Sequence, residues 1–134
     1  MIDFQYINTE IPGFDSEFFI LSVKDLLREE NKVLGEISII FVTDEYLLEM
    51  NKQYLNHDYY TDIITFDYCE KNIVNGDLFI SVERVDENSR IFESGFLFEL
   101  QRVIIHGVLH LCGYKDKTTE EESMMRNLEN KYLK

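Results

Sequence analysis

The stretch Glu36-Ile-Ser-Ile-Ile-Phe-Val42, followed at once by Thr43-Asp44, decides the fold class. Its β-branched side chains suit a pleated strand. Thr43-Asp44 then supplies the start signal for a short helix running through Tyr54. Working upstream, Ile2, Phe4 and Tyr6 alternate with Asp3 and Gln5, which predicts a strand over residues 2–7 with one buried face. Pro12-Gly13 marks a turn. Phe18, Phe19, Leu21, Leu26 and Leu27 predict a helix within residues 15–31, with Asp15 or Ser16 as N-cap and Gly35 beyond its end. Downstream, residues 62–68 read as a third strand, Asn75-Gly76 as a turn, and residues 77–81 as a fourth strand. Helices are predicted over residues 82–92 and about 96–111, the second carrying Leu100, Val103, Ile104, Val108 and Leu111 on its apolar side. Thr119-x-x-Glu122 is a capping-box pattern before a last helix whose apolar positions are Met124, Met125, Leu128 and Leu133.

The expectation is therefore a single α+β domain over residues 1–134, with one sheet of about four strands and helices packed against it. Strand order does not follow from the pattern. A chain of 134 residues buries roughly 68% of its unfolded surface, enough to fold without disulfides or a structural metal. Cys69 and Cys112 are too few for a disulfide framework and read as free thiols of a reducing compartment. The opening residues Met1-Ile2-Asp3-Phe4 are unlike a basic, then apolar, leader, and Phe18-Phe19-Ile20-Leu21 is far too short to span a bilayer. A cytoplasmic protein with no membrane partner is expected. The net charge of -13 repels polyanions and argues against a general nucleic-acid coat protein, while leaving room for a local site whose metal supplies positive charge.

The chemistry lies in His106-Gly-Val-Leu-His110-Leu-Cys-Gly113-Tyr-Lys-Asp116. Histidines at i and i+4 share one helix face, so both imidazoles can reach one ion at about 2.0–2.1 Å. Leu111-Cys112-Gly113 reads as a helix end with Gly113 in the left-handed cap position. A chain reversing there can return Asp116 to the histidine face as a third ligand, leaving a fourth position open for water. Cys112, two residues after His110, is an alternative soft ligand. Glu99 lies two turns before His106 on the same face and could orient a ligand histidine or act on bound water. The residue after the first histidine is Gly107, so the general base of an H-E-x-x-H protease is absent.

The segment from His106 to Tyr114 resembles the signature of the YbeY family of bacterial endoribonucleases and rRNA maturation factors. Asn51-Lys-Gln-Tyr54 followed by Thr61-Asp62-Ile-Ile-Thr-Phe66 resembles the family's threonine-aspartate strand, and Gly76-Asp77-Leu-Phe-Ile-Ser81 its glycine-aspartate strand. The similarity spans nearly the whole chain. It implies an α+β fold, a three-ligand zinc site, cleavage of single-stranded RNA, processing of the 3′ end of small-subunit rRNA, and a part in ribosome quality control. The ribosomal particle or its proteins would then be partners. Two positions depart from the family pattern. The family motif ends Gly-Tyr-Asp-His, whereas Lys115 and Asp116 follow Tyr114 here. Carried over by position, Asp116 takes the third ligand's place; a one-residue slip would put Lys117 there instead. The family also has an arginine where this chain has Leu55. Of the cations near the motif, Lys115, Lys117 and Arg102 remain, which predicts weak binding to bulk RNA.

Three other readings stay open on the residues alone. Two histidines and a carboxylate also describe non-haem iron oxygenases. A non-catalytic assembly factor could use the metal for stability, and a metal-dependent hydrolase could act on another substrate.

Overall fold

The computed structural model describes every residue, Met1–Lys134. Its elements follow in the order β1 (Ile2–Tyr6), α1 (Ser16–Glu29), β2 (Val33–Val42), α2 (Asp44–Leu55), β3 (Ile63–Asp67), β4 (Ile73–Ser81), α3 (Val82–Ile91), α4 (Phe96–Leu111) and α5 (Thr119–Tyr132). This is the expected α+β domain with a four-stranded sheet, and the strand order is β1-β2-β4-β3. β1 and β4 each pair with β2 in parallel, while β3 pairs with β4 antiparallel.

The run Ile-x-Ile-Ile-Phe-Val in β2 has two apolar faces because the sheet is covered on both sides. Ile37, Ile39 and Phe41 join the main core with α1, α4, Met125 and Tyr132. Ile40 and Val42 point the other way, onto Leu47 and Met50 of α2. A strand so enclosed loses its polar alternation, as expected for parallel pairing. Thr43 and Asp15 cap their helices as the sequence indicates: each side chain accepts from the backbone N–H three residues on, at Tyr46 and Phe18.

Four details differ from the sequence reading. First, α1 ends at Glu29 and the chain reverses through Asn31 at φ 57°, so Gly35 lies inside β2 rather than behind a helix. Second, Asn75-Gly76 is not a turn. The β3–β4 hairpin closes at Lys71-Asn72, between the paired Glu70 and Ile73, and Asn75-Gly76 belongs to β4. β2 carries an extra residue between Leu34 and Ile37, and the Asn75 side-chain carbonyl accepts from Glu36 N–H at 2.8 Å, satisfying the donor that this bulge leaves unpaired. Third, the capping box of α5 is Thr118 with Glu121, one residue earlier than expected. Thr118-Thr119 is followed by three glutamates, Glu120 to Glu122, so two capping phases are possible, and Met125 and Glu129 face α4 in the one adopted. Fourth, Met124, one of the apolar positions of the last helix, is 55% exposed.

Gly76 stands where the end of α4 crosses the β3–β4 pair. A β-carbon there would meet Leu111 Cδ2 and the Phe66 carbonyl oxygen, each at 2.7 Å. The carbonyl belongs to backbone and cannot rotate away. Gly76→Ala should therefore destabilise the fold by about 1–3 kcal/mol, the usual cost of overpacking. A chemical-denaturation midpoint equal to that of the unsubstituted chain would contradict this close approach.

Candidate metal centre

Ten of the sixteen residues of α4 are buried, and the helix meets solvent on a narrow face that carries His106 and His110. The helix ends in a Schellman motif. Gly113 N–H donates to the His110 carbonyl at 3.0 Å and Tyr114 N–H to the Leu109 carbonyl at 3.1 Å. Gly113 adopts φ 104°, a conformation that side-chain-bearing residues avoid, and so turns the chain back on itself. The Tyr114 hydroxyl donates to Glu30, fixing the returning segment to the end of α1. Asp116 then arrives beside the two histidines. Its Oδ2 lies 3.3 Å from His106 Nε2 and 3.4 Å from His110 Nε2, and the two Nε2 atoms are 3.0 Å apart.

The hydrogen bonds on the far side of each ring decide which atoms face inward. His110 Nδ1–H donates to the Tyr114 carbonyl at 2.9 Å. His106 Nδ1–H donates to Glu129 Oε2 at 2.7 Å. With both Nδ1 protons committed, both Nε2 atoms present lone pairs, and Asp116 adds a carboxylate oxygen. Three electron-rich atoms converging this closely repel one another unless a cation lies between them. Their separations match the edges of a tetrahedron of metal–ligand bonds near 2.0–2.1 Å, which are about 3.3 Å. His106, His110 and Asp116 thus form a group able to hold a metal ion. Lys117 is not part of it; it lines the neighbouring cleft. Nor is Cys112, which packs against the main core with its thiol pushed up to about 12 by burial and by the nearby Glu30.

The carboxylate that orients His106 is Glu129 of α5, not Glu99. Glu129 is buried and also accepts from Arg102 at 2.8 Å. Burial opposes its charge, but the hydrogen bonds from His106 and Arg102 outweigh burial and hold its pKa below the ordinary carboxylate value. Glu99 is buried in a second cavity, with Arg102, Arg126 and Glu129 among its lining, and desolvation raises its pKa. The Arg102 guanidinium, counted from sequence as a cation for RNA, is taken up by Glu129 and Asn130. Sequence spacing could not reveal Glu129, which lies 23 residues beyond His106 on another helix.

A cleft of about 500 Å³ runs from the three ligand groups past β3 to the end of α2. Asp62 lines it, half-buried, and desolvation raises its carboxyl pKa while the His106 charge partly opposes the shift. Leu55 lines it too, so the departure from the family's arginine falls within the cleft. Thr61-Asp62 matched a family block in the sequence, but nothing in its local pattern showed that it would face the histidines.

Burial alone would lower the His106 pKa, yet its hydrogen bond to Glu129, with Asp116 and Asp62 nearby, raises it above the usual 6.5. The added proton sits on Nε2, the atom that would bind a metal. Metal affinity should therefore be level above the His106 pKa and fall as pH drops through it, starting above about 6.5. Glu129→Gln removes the upward pull. It should lower the plateau affinity by about 10–100-fold and move the onset of the fall to lower pH. Competition with a chromophoric chelator across pH 5–8.5 measures both; an affinity level down to about pH 5 would contradict histidine ligation.

Comparisons with known proteins show the family to which the chain belongs. The family model described as Endoribonuclease YbeY matches residues 7–134. The chain is 51% identical to an Endoribonuclease YbeY of Flavobacterium psychrophilum, covering 100% of this chain and 95% of that one. It is 47% identical to the protein of the same name from Phocaeicola vulgatus, over 99% and 96% of the two chains. A solution structure of a Thermotoga maritima protein superposes with a TM-score of 0.68 at 30% identity, over 98% of this chain and 86% of that one. The chain belongs to the YbeY endoribonuclease family.

Proposed function

We propose that this chain is a metal-dependent endoribonuclease that cuts single-stranded RNA, using one divalent ion held by His106, His110 and Asp116. The observation that carries the proposal is the convergence of two histidine lone pairs and one carboxylate oxygen at 3.0–3.4 Å in an open cleft. Two nitrogen donors and one oxygen donor suit zinc. Such an ion, when bound, supplies Lewis acidity toward a phosphate oxygen or lowers the pKa of a water.

The chain's own groups do the rest. Glu129 and the Tyr114 carbonyl hold the two imidazoles in the tautomer that leaves Nε2 free. Asp116 lowers the site's formal charge, since a divalent ion with two neutral histidines and one carboxylate carries +1 rather than the +2 of three histidines. That tempers acidification of a bound water without abolishing it, because two histidines and a glutamate support hydrolysis elsewhere. Asp62 has a carboxyl in the same cleft that is not one of the three ligand groups, and it is the group assigned to take a proton from the attacking oxygen.

The biological setting follows from the family resemblance. The substrate is the 3′ region of small-subunit rRNA, met in the cytoplasm on a ribosomal particle. No helix is long and apolar enough to cross a membrane. The cleft supports a delivered substrate better than a captured one: with Arg102 paired to Glu129, its cations reduce to Lys117 in the lining and Lys115 nearby. The same shortage of cations favours a second reading, a non-catalytic assembly factor in which the metal serves stability.

The deciding experiment is metal analysis of the purified chain with an RNA-cleavage assay on the same sample. His106→Ala and His110→Ala should each lose most bound metal. Cleavage by His110→Ala should fall by at least about 100-fold, the scale of losing a main source of electrostatic stabilisation, while circular dichroism reports an intact fold. Asp116→Ala should weaken metal binding and Asp116→His should keep it. Cleavage unaffected in a metal-depleted, folded His110→Ala protein would remove the proposal, and no cleavage by the metal-loaded wild type would favour the second reading.

Affinity for bulk RNA should be weak, with a shallow salt dependence. About two phosphate contacts at about -0.7 each give a slope near -1.4 for a single strand. A slope matching about six contacts, measured by fluorescence anisotropy over a salt series, would show instead that the fold gathers its cations into one groove.

A further inference from the structure

The cleft has a feature that the metal chemistry does not use. In its lining, the rings of His57 and Tyr59 stack at 5.0 Å between centroids with 23° between planes, and Tyr59 is 55% exposed. Both residues line the same cleft as His106, His110 and Asp116. Exposed aromatic rings are ordinarily mobile, but this pair is held from three directions. The Tyr59 hydroxyl and His57 Nδ1 are hydrogen-bonded at 2.9 Å. His57 N–H donates to the Asn51 carbonyl at 3.1 Å. The Asn51 side-chain amide, itself 1% exposed, donates to the Tyr59 carbonyl at 2.8 Å. Asn56, at φ 55°, makes the turn out of α2 that presents the pair.

Charge decides what such a platform can hold. Three carboxylates, Asp62, Asp67 and Asp116, line the cleft against the single Lys117, so phosphates receive little attraction from its walls. A nucleobase is neutral, and its flat faces stack on aromatic rings without needing a cation. Leu55, apolar and 43% exposed, extends the uncharged surface in the same lining. A rigid, pre-formed stack also loses little entropy on binding.

We propose that the His57–Tyr59 pair is a base-stacking subsite that grips an unpaired nucleotide of the RNA strand next to the bond being cut. The inference rests on the endoribonuclease reading above and gives that site its means of holding a strand despite the acidic surface. The grip is selective for single strands, because a base within a duplex has no free face to offer. It is tolerant of base identity, because every base has two flat faces.

The test uses the metal-loaded full chain and a fluorescent, cleavage-resistant 2′-O-methyl RNA hexamer, with cleavage of unmodified RNA measured alongside. Tyr59→Ala should weaken hexamer binding by roughly 5- to 150-fold, the range found for removing one base–aromatic stack. Tyr59→Phe keeps the ring and should bind within about twofold of wild type. Bound metal and the salt slope should be the same in all three proteins, since neither a ligand nor a phosphate contact is altered. Wild-type affinity in Tyr59→Ala, with cleavage retained, would overturn the subsite and leave the endoribonuclease reading in place. Equal losses in Tyr59→Ala and Tyr59→Phe would also overturn it, assigning the effect to the hydroxyl rather than the ring face. Absence of cleavage by wild type would instead remove the reading on which the subsite rests.

Discussion

At Gly107, α4 rests on Ile63 and Leu78 so closely that a β-carbon would come within 2.7 Å of the Ile63 side chain. This close seat on the sheet governs how the helix is placed. Leu100, Ile104, Val108 and Leu111 sink into the core. His106 and His110 occupy the face left over, one turn apart, while Glu99 and Gln101 are buried with the apolar side. The same contact explains why an acidic residue directly after His106 would be of no use here. Its side chain would be driven into the apolar seat of Ile63 and Leu78, not toward the histidine face.

The groups that end and buttress this helix also prepare its chemistry. The reversal after Cys112 satisfies the last carbonyls of α4, and one residue later the same reversal presents the Tyr114 carbonyl to His110 Nδ1. Glu129 ties α5 to α4 through Arg102 and aligns His106 with its other oxygen. A buried carboxylate with a single partner would be costly, but one shared by a guanidinium and an imidazole has its lone pairs met. Folding and the proposed metal binding therefore draw on the same bonds.

Acidity shapes the rest of the site. A chain with net charge -13 is a poor electrostatic collector of RNA. Arg102 is spent on Glu129, and Arg84 on Asp44, where the pair lies 2.7 Å apart. On the proposed reading, positive charge is concentrated at the metal, and strand binding draws on uncharged contacts. The exposed rings in the cleft lining are suited to that work.

Much of this was legible from residue order. The helix over residues 96–111, its buried positions, the histidine pair at i and i+4, and the reversal at Gly113 all depend on neighbours within a few residues. Spacing on one helix decides such features before any tertiary contact forms. Asp116 was legible for the same reason, once a turn at Gly113 was granted. The errors came where two local readings were equally good and a distant partner chose between them. Asn75-Gly76 has the chemistry of a turn, but an unpaired N–H at Glu36, 39 residues away, drew its side chain into the sheet. The two threonines and three glutamates at the start of α5 allow two capping phases, and packing of Met125 and Glu129 on α4 selected one. Glu129, Asp62 and the His57–Tyr59 pair come to the histidines or to their cleft only through the fold, because no periodicity links them to the histidines. The sequence by itself determined which residues could ligate a metal and on which helix; tertiary structure alone decided which carboxylate aligns them and what surrounds the cleft, since those contacts join segments that the chain brings together only by burying a common core.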